Sequence, residues 1–459
     1  MIQSAILPDD TFNADSLSRS SVTRMATASP NILYIHSHDT GRYIEPYGHN
    51  IPAPNIQSLA EEGILFRRAF CGGPTCSPSR ACLLTGQCAH SNGMLGLAHR
   101  GFRLHDYGRH IVNTLRSAGY SSALAGIQHI TKNPEEIGYD RIIDTRGRGV
   151  RHVAPAAVEF FEEDPEGPFF LSVGFSETHR RYLEPGPGED PRYTLPPHPI
   201  PDTPETRRDM AGFKASVRVF DRGVGTVIDA LDANGYGDDT LVICTTDHGI
   251  AFPYMKCNLT DHGIGVMLIM RGPGGFSGGK VCDSLVSQID IYPTLCELLD
   301  IDPPEWLEGS SMMPLIRGER EEINEQIYAE VTYHAAYEPQ RAVRTDRWKY
   351  IRRFGGRDTP VLPNCDESLT KDLWLENGWR ERRVAEEQLF DLVFDPNEAN
   401  NLVRDPSFSD VLEDMRGRLQ AWMRRTDDPI LEGEVNAPKG AVITDTDALT
   451  PKGPTRTVT

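Results

Sequence analysis

The chain has 459 residues, 39% hydrophobic and 25% charged, the make-up of a soluble globular protein long enough for one large α/β domain with a smaller companion. No apolar run approaches the ~20 residues of a membrane span, and a formal net charge of -19 repels polyanions at long range, which argues against nucleic acid or an anionic membrane as partner. An anionic small substrate would need a local basic pocket.

Residues 1–28 hold acids, serines and one short apolar pair, so they read as a mobile tail lacking the apolar core of a secretory signal. The nine cysteines include no C-x-x-C pair, which argues against a zinc site or a disulfide framework and for free thiols, with the cytoplasm as the expected location. From Asn31 the run NILYIHSHD gives a short apolar strand that ends in ligand-type residues, as expected where an α/β sheet presents chemistry at its strand C-termini. FFLSVGFSETH (169–179) and TLVICTTDHG (240–249) repeat that grammar. Between the strands, IVNTLRSAGY and RVFDRGVGTVIDALDANGY place apolar residues at helical spacing before glycine stops. The expected fold is α/β, a large mixed and mostly parallel sheet flanked by helices.

The proline-dense segment 185–209 reads as a long surface loop. Near residue 335 the pattern changes. RAVRTDRWKYIRR alternates like one antiparallel strand, QLFDLVFDPNEANNLV reads as strand plus turn, and SDVLEDMRGRLQAWMRR is an amphipathic helix. The expected division is therefore a tail over 1–28, a catalytic domain over 29–335, a smaller C-terminal α+β domain with an antiparallel sheet over 336–430, and a tail over 431–459. That last tail shows no core pattern and is expected to wrap the surface or a partner subunit in a homo-oligomer.

The most informative segment is GGPTCSPSRACLLTGQ, residues 72–87. Ser77 suits a helix cap, Pro78 the first turn and Gly86 the end, so Cys76 should sit at a helix N-terminus, where free amides stabilise an anion. Arg80, one turn inside, could add a charge-assisted hydrogen bond. Taken bare, these residues describe either an activated thiol or a loop cysteine capped into a helix.

The string CSPSR followed by A-x-L-L-T-G resembles the signature of the type I, formylglycine-dependent sulfatases of the alkaline phosphatase superfamily. The resemblance implies that Cys76 is oxidised to formylglycine by a formylglycine-generating enzyme. It also implies one divalent metal held by Cys76 and by acids from the first strand and a later strand end. In the first segment Asp39 matches one aspartate of the usual adjacent pair and His38 replaces the other, either as a ligand or as a structural histidine. In the second, Asp247 matches and His248 stands where many members carry asparagine. Hard oxygen ligands favour calcium or magnesium, with calcium the first expectation, whereas added imidazole shifts the preference toward manganese, zinc or iron. For His36 and His262 packing or surface roles are preferred.

By the same resemblance His129, His179 and Lys256 belong to the sulfate pocket, although the family's lysine two residues before His129 is Ile127 here. Arg42, Gln128 and Arg180 are candidates to compensate. The implied chemistry is attack by a hydroxyl of the hydrated aldehyde, with Asp247 and the metal lowering its pKa. The second hydroxyl gives its proton to His129, and His179 or Lys256 acts as acid for the leaving oxygen. HSNGMLGL, GFSETHR, DRGVGTVIDAL and LFDLVFDPNEANNLVRDP extend the similarity to the N-sulfoglucosamine sulfohydrolase branch. The implied substrate is a small sulfate ester or sulfamate, on a sugar. Two other readings stand beside it: a phosphonate or phosphate monoester hydrolase, for which His248 speaks, and an unmodified, non-catalytic binder of sulfated glycans.

Overall fold

β1 (Asn31–His36) is buried along its whole length. Ile32 and Tyr34 enter one apolar cluster and Leu33 and Ile35 another, as the two-residue period of a strand between two packed layers requires. In the computed structural model, which describes residues 29–459, β1 lies inside an eight-stranded sheet with β2 (Ile64–Phe70), β3 (Ser121–Gly126), β4 (Arg141–Ile143), β5 (Phe169–Gly174), β6 (Thr240–Thr245), β7 (Leu268–Arg271) and β8 (Lys280–Ser287), in the order β4-β3-β5-β1-β6-β7-β2-β8. β7 runs antiparallel to both neighbours and the other pairings are parallel, so the sheet is mixed and mostly parallel, as its strand grammar predicts. The helices Pro54–Glu62, Val150–Glu162 and Pro204–Ala233 cover the Leu33 face, and Cys76–Thr85, Ile111–Ser117 and Ile291–Leu298 cover the other. The N-terminal tail expected over 1–28 lies outside the described residues.

The surface loop ends earlier than its composition indicates. Pro204 starts a 30-residue helix, with Thr203 as N-cap and Thr206 closing a capping box, because proline is well suited to the first helical turn. The tract RAVRTDRWKYIRR is not one strand either. It folds as a hairpin of β10 (Tyr337–Thr345) and β11 (Trp348–Arg353), turning at Asp346 and Arg347. With β9 (Gln326–Tyr333) and β12 (Glu387–Asp391) these form an antiparallel sheet in the order β12-β11-β10-β9, which opens at Gln326, ahead of residue 336. Its two faces again divide the side chains. Ala342 and Ile351 join the main core, while Val343 and Tyr350 pack with Leu412, Met415, Leu419 and Trp422 of the helix Ser409–Arg425.

Residues 431–459 also carry buried apolar side chains, contrary to expectation. Val435, Ala441 and Ile443 are buried, and β13 (Val442–Thr444) pairs with β14 (Thr455–Thr457). The signal is too short for a periodicity argument. Among the described residues no helix is long and apolar enough to cross a membrane.

Arg341, fully buried, donates to Asp428 Oδ2 at 2.5 Å and Oδ1 at 2.9 Å and lies 3.3 Å from Glu330 Oε2. Arg341→Ala would leave two buried carboxylates short of their cation, and is expected to cost about 3–5 kcal/mol. A fall in the denaturation midpoint at constant slope would show it, and an unchanged midpoint would contradict it.

Candidate active site

β3, β5, β1 and β6 are adjacent and parallel, and their C-terminal ends align, with Gly126 opposite Gly174, Gly174 opposite His36 and His36 opposite Thr245. The loops that follow them therefore open at one edge of the sheet, where α/β folds place their chemistry. Those loops carry His129, His179, the pair His38–Asp39 and the pair Asp247–His248. The helix Cys76–Thr85 brings Cys76 to the same edge as its first residue. Its cap is Thr75, in extended conformation, and Gly86 ends it at φ 67°, a left-handed value that costs glycine little. Pro78 falls in the first turn as expected. Ser77 does not cap the helix: it lies inside it, donates to His129 O at 2.5 Å and accepts from Ala98 N at 3.0 Å. The cap lies two residues upstream of that expectation, at Thr75, and the Ser77 hydroxyl fastens the His129 loop instead.

The structure gathers the predicted ligands. Donor atoms of Asp39, Cys76, Asp247 and His248 all lie within 4.8 Å of one another, and so do those of His38, Asp39, Cys76 and His179. His248 Nε2 stands 3.3 Å from Asp39 Oδ1 and 3.5 Å from Cys76 Sγ. His38 Nδ1 is 3.0 Å from Asp39 Oδ1 and 3.1 Å from Asp247 Oδ2. Backbone amides hold the arrangement: Asp247 Oδ1 accepts from Asp39 N at 2.8 Å and from His248 N at 2.9 Å. His248 Nδ1 faces Gly249 O at 2.9 Å, the outer contact that fixes a ring's orientation and leaves Nε2 toward the cluster. Asp39 takes φ 54° and His129 φ 57°, a left-handed geometry that aspartate tolerates better than most residues. Such strain is often concentrated at working sites.

Burial raises the Cys76 thiol well above its ordinary pKa, with Lys256 acting against the rise. For Asp39 burial pushes upward, but the Lys256, His179 and His248 charges outweigh it and hold the carboxyl well below the usual range. Burial is also the main reason that His38 falls to about 4 and that His129 lies well below its ordinary value.

Lys256 Nζ, although buried, donates to Asp39 Oδ2 at 2.8 Å and to Asp366 Oδ2 at 2.9 Å. Burial disfavours its charge, yet Asp366 and Asp39 together raise its pKa well above the usual lysine value. His179 Nε2 stands 4.0 Å from the same Asp39 Oδ2, and its ring meets His38 edge-on at 4.8 Å. His129 stacks on His99 at 5.4 Å, with His129 Nε2 3.1 Å from His99 Nδ1. Arg80 is turned to the inside of the cluster: its Nη2 donates to Ser37 O at 2.8 Å and Asp247 Oδ2 at 3.0 Å, and its Nη1 meets His36. His99 and Asp366 were not legible beforehand. Asp366 follows β11 in a segment with no recognisable motif, and only the fold brings it to Lys256.

His36 is buried against Tyr34 and Arg80, and His262 bonds to Tyr43 outside the cluster, in line with their packing roles. The three compensating candidates are each engaged by neighbouring residues. Arg42 bonds to Arg67 O and pairs with Asp261, and Gln128 closes its own loop on Ile130 and Thr131. Arg180 is locked to Asp209 by two bonds at 2.5 and 2.8 Å. A cavity of about 810 Å³ lined by His38, His99, Gln128, His129, His179 and Arg181 leads to the cluster.

Comparison with known proteins finds relatives along most of the chain. The family profile "Sulfatase" matches residues 30–301, and "N-sulphoglucosamine sulphohydrolase, C-terminal" matches 249–363. Human N-sulphoglucosamine sulphohydrolase is 29% identical over 87% of this chain and 91% of its own. A protein solved in complex with its substrate D-glucosamine-2-N,6-O-disulfate superposes with a TM-score of 0.68 at 17% identity, over 89% of this chain and all of that one. The phosphonate monoester hydrolase of Agrobacterium radiobacter gives 0.67 at 19%, over 86% and 96%. With its profile matched over more than half its length and the signature cysteine seated at a helix start beside two aspartates and a histidine, the chain belongs to the sulfatase family of sulfuric ester hydrolases.

Proposed function

We propose that the protein removes sulfate, as ester or sulfamate, from a sulfated sugar, using formylglycine made from Cys76 by a formylglycine-generating enzyme. The observation that carries this reading is the convergence of Cys76 Sγ with donors from Asp39, Asp247 and His248 at the first turn of a helix. The similarity to N-sulphoglucosamine sulphohydrolase and to a protein crystallised with a glucosamine disulfate supports the sugar.

The donor set fits one divalent cation. Metal–ligand bonds of ~2.0–2.6 Å place ligand atoms about 3–5 Å apart, as they are here. Asp39, Asp247 and His248 would hold the ion with residue 76, and His38 is near enough to join them. Two carboxylates favour calcium, with magnesium next, and the imidazoles keep manganese and zinc in contention. Bound there, the cation supplies positive charge that lowers the pKa of the attacking hydroxyl and withdraws electron density from the sulfate.

The chain's own groups do the rest. The amides of the first turn after Thr75 favour an anion at residue 76. Arg80 holds Asp247 in place through its Nη2, 3.0 Å from Oδ2. His129, kept neutral by burial, is able to accept a proton at the end of the site nearest His99. On the other side Lys256 Nζ and His179 Nε2 both approach Asp39 Oδ2, where a departing oxygen would need a proton.

If either residue is that acid, its alanine variant should lose about 10²–10⁴ in rate on sugar sulfates and much less on activated aryl sulfates, whose phenolates need little protonation. Rates of Lys256→Ala and His179→Ala against aryl sulfates of graded leaving-group pKa decide it. An unchanged slope in both would remove them from the acid role. The phosphonate reading draws on His248 and on the shared fold, and paired aryl sulfate and aryl phosphonate substrates test it. The sulfatase account predicts the larger kcat/KM for the sulfate.

A further inference from the structure

The wall of the cavity reverses the charge of the molecule. The chain has 66 acidic and 47 basic residues, yet Lys132, Arg148, Arg180 and Arg181 line this cavity, and among the described residues lining it Glu177 is the one acid. Two of these charges are already used. The Glu177 carboxylate accepts from Val150 N at 3.1 Å and from Ser176 Oγ at 3.2 Å, at the start of the helix Val150–Glu162. Arg180 is held by Asp209. That leaves Lys132, Arg148 and Arg181, all exposed, with no ion pair or side-chain hydrogen bond to another described residue. The field of Lys132 and Arg148 reaches the reacting end: after burial and Arg100, the charges of Lys132, His179 and Arg148 lower the pKa of His99, the ring stacked on His129.

Three like charges gathered without counter-ions repel one another, and an anion placed among them removes that repulsion. The scissile sulfate does not meet this need, because the proposed reaction places it beside Cys76, Asp39 and His129. Pockets for small ligands run to roughly 300–1,000 Å³, and about 810 Å³ leaves room for a sugar beyond the sulfate.

We propose that Lys132, Arg148 and Arg181 form a subsite for a second anionic group of the substrate. The preferred saccharide then carries, besides the sulfate that is cleaved, a further sulfate or a uronic carboxylate. This rests on the sulfatase reading of the site and narrows its substrate class.

The test compares three probes: a monosulfated monosaccharide, the same sugar with a second sulfate, and a sulfated disaccharide containing a uronic acid. Each is assayed with the wild type and with the triple variant Lys132→Ala/Arg148→Ala/Arg181→Ala. The wild type should prefer at least one dianionic probe by about tenfold or more in kcat/KM at low salt, and the preference should shrink as salt is added. In the triple variant the ratio should fall toward one, whatever happens to absolute rates. Preference for the disulfated sugar alone identifies sulfate as the second group, and preference for the uronate alone identifies carboxylate. A wild type without preference, or a preference that survives in the triple variant, overturns the subsite while leaving the sulfatase reading intact. If the wild type turned over no sulfate at all, that reading would fall instead. Calorimetric affinity for a desulfated sugar that keeps the second anion would then judge the subsite alone: tighter binding to wild type than to the triple variant supports it, and equal binding overturns it.

Discussion

Cys76→Ala is expected to reduce turnover of any sulfate substrate by at least about 10⁴-fold, the scale at which loss of a nucleophile is felt in hydrolases, while the protein stays folded. Cys76 is buried as the first residue of its helix, so the change removes one sulfur atom and leaves the backbone amides in place. No described hydrogen bond other than the 3.5 Å contact with His248 Nε2 depends on that side chain. The substitution should cost little stability compared with the large core truncations that reach 2–5 kcal/mol. Circular dichroism and a melting curve establish the fold, and kcat on an aryl sulfate reads the chemistry. A folded variant with near-normal kcat would refute the assignment of residue 76.

The second large effect should follow from Asp39→Asn. This change keeps the shape of the side chain but removes a charge that serves His38, His248 and Lys256 at once. Wild-type protein dialysed against the metal should retain one ion per chain, and the variant substantially less. Its affinity should fall by more than the 10–100-fold typical of outer-sphere changes, and kcat/KM by about 10³ or more. Elemental analysis and titration with a chelator measure binding independently of turnover. Full occupancy in Asp39→Asn with unaltered affinity would remove Asp39 from the ligand set.

The elements legible in the sequence share a cause. β1, β5 and β6 are short apolar runs that break into polar residues, and such a break signals both a buried strand and the loop at its end. The cysteine segment was legible because its helix start, first-turn proline and terminal glycine lie within eleven residues. What escaped needed information from elsewhere in the chain. Asp346 and Arg347 turn the chain without glycine or proline, so β10 and β11 read as one strand. Pro204 looked like a breaker but is the first residue of a helix whose cap, Thr203, is unremarkable beside so many prolines. Asp366 and His99 reach the cluster only through tertiary packing, and the three free cations of the cavity wall lie in separate loops. Their convergence is what the overall charge of -19 conceals.

Formylglycine made from Cys76 is the proposed reacting group, and the mass of the peptide that contains residue 76, taken from a preparation actively hydrolysing sulfate, decides whether it is. Exchange of the thiol for an aldehyde lowers that mass by about 18 Da. The lighter peptide is expected, in a proportion that tracks specific activity between preparations, and an active preparation whose residue 76 is entirely unmodified cysteine would rule formylglycine out.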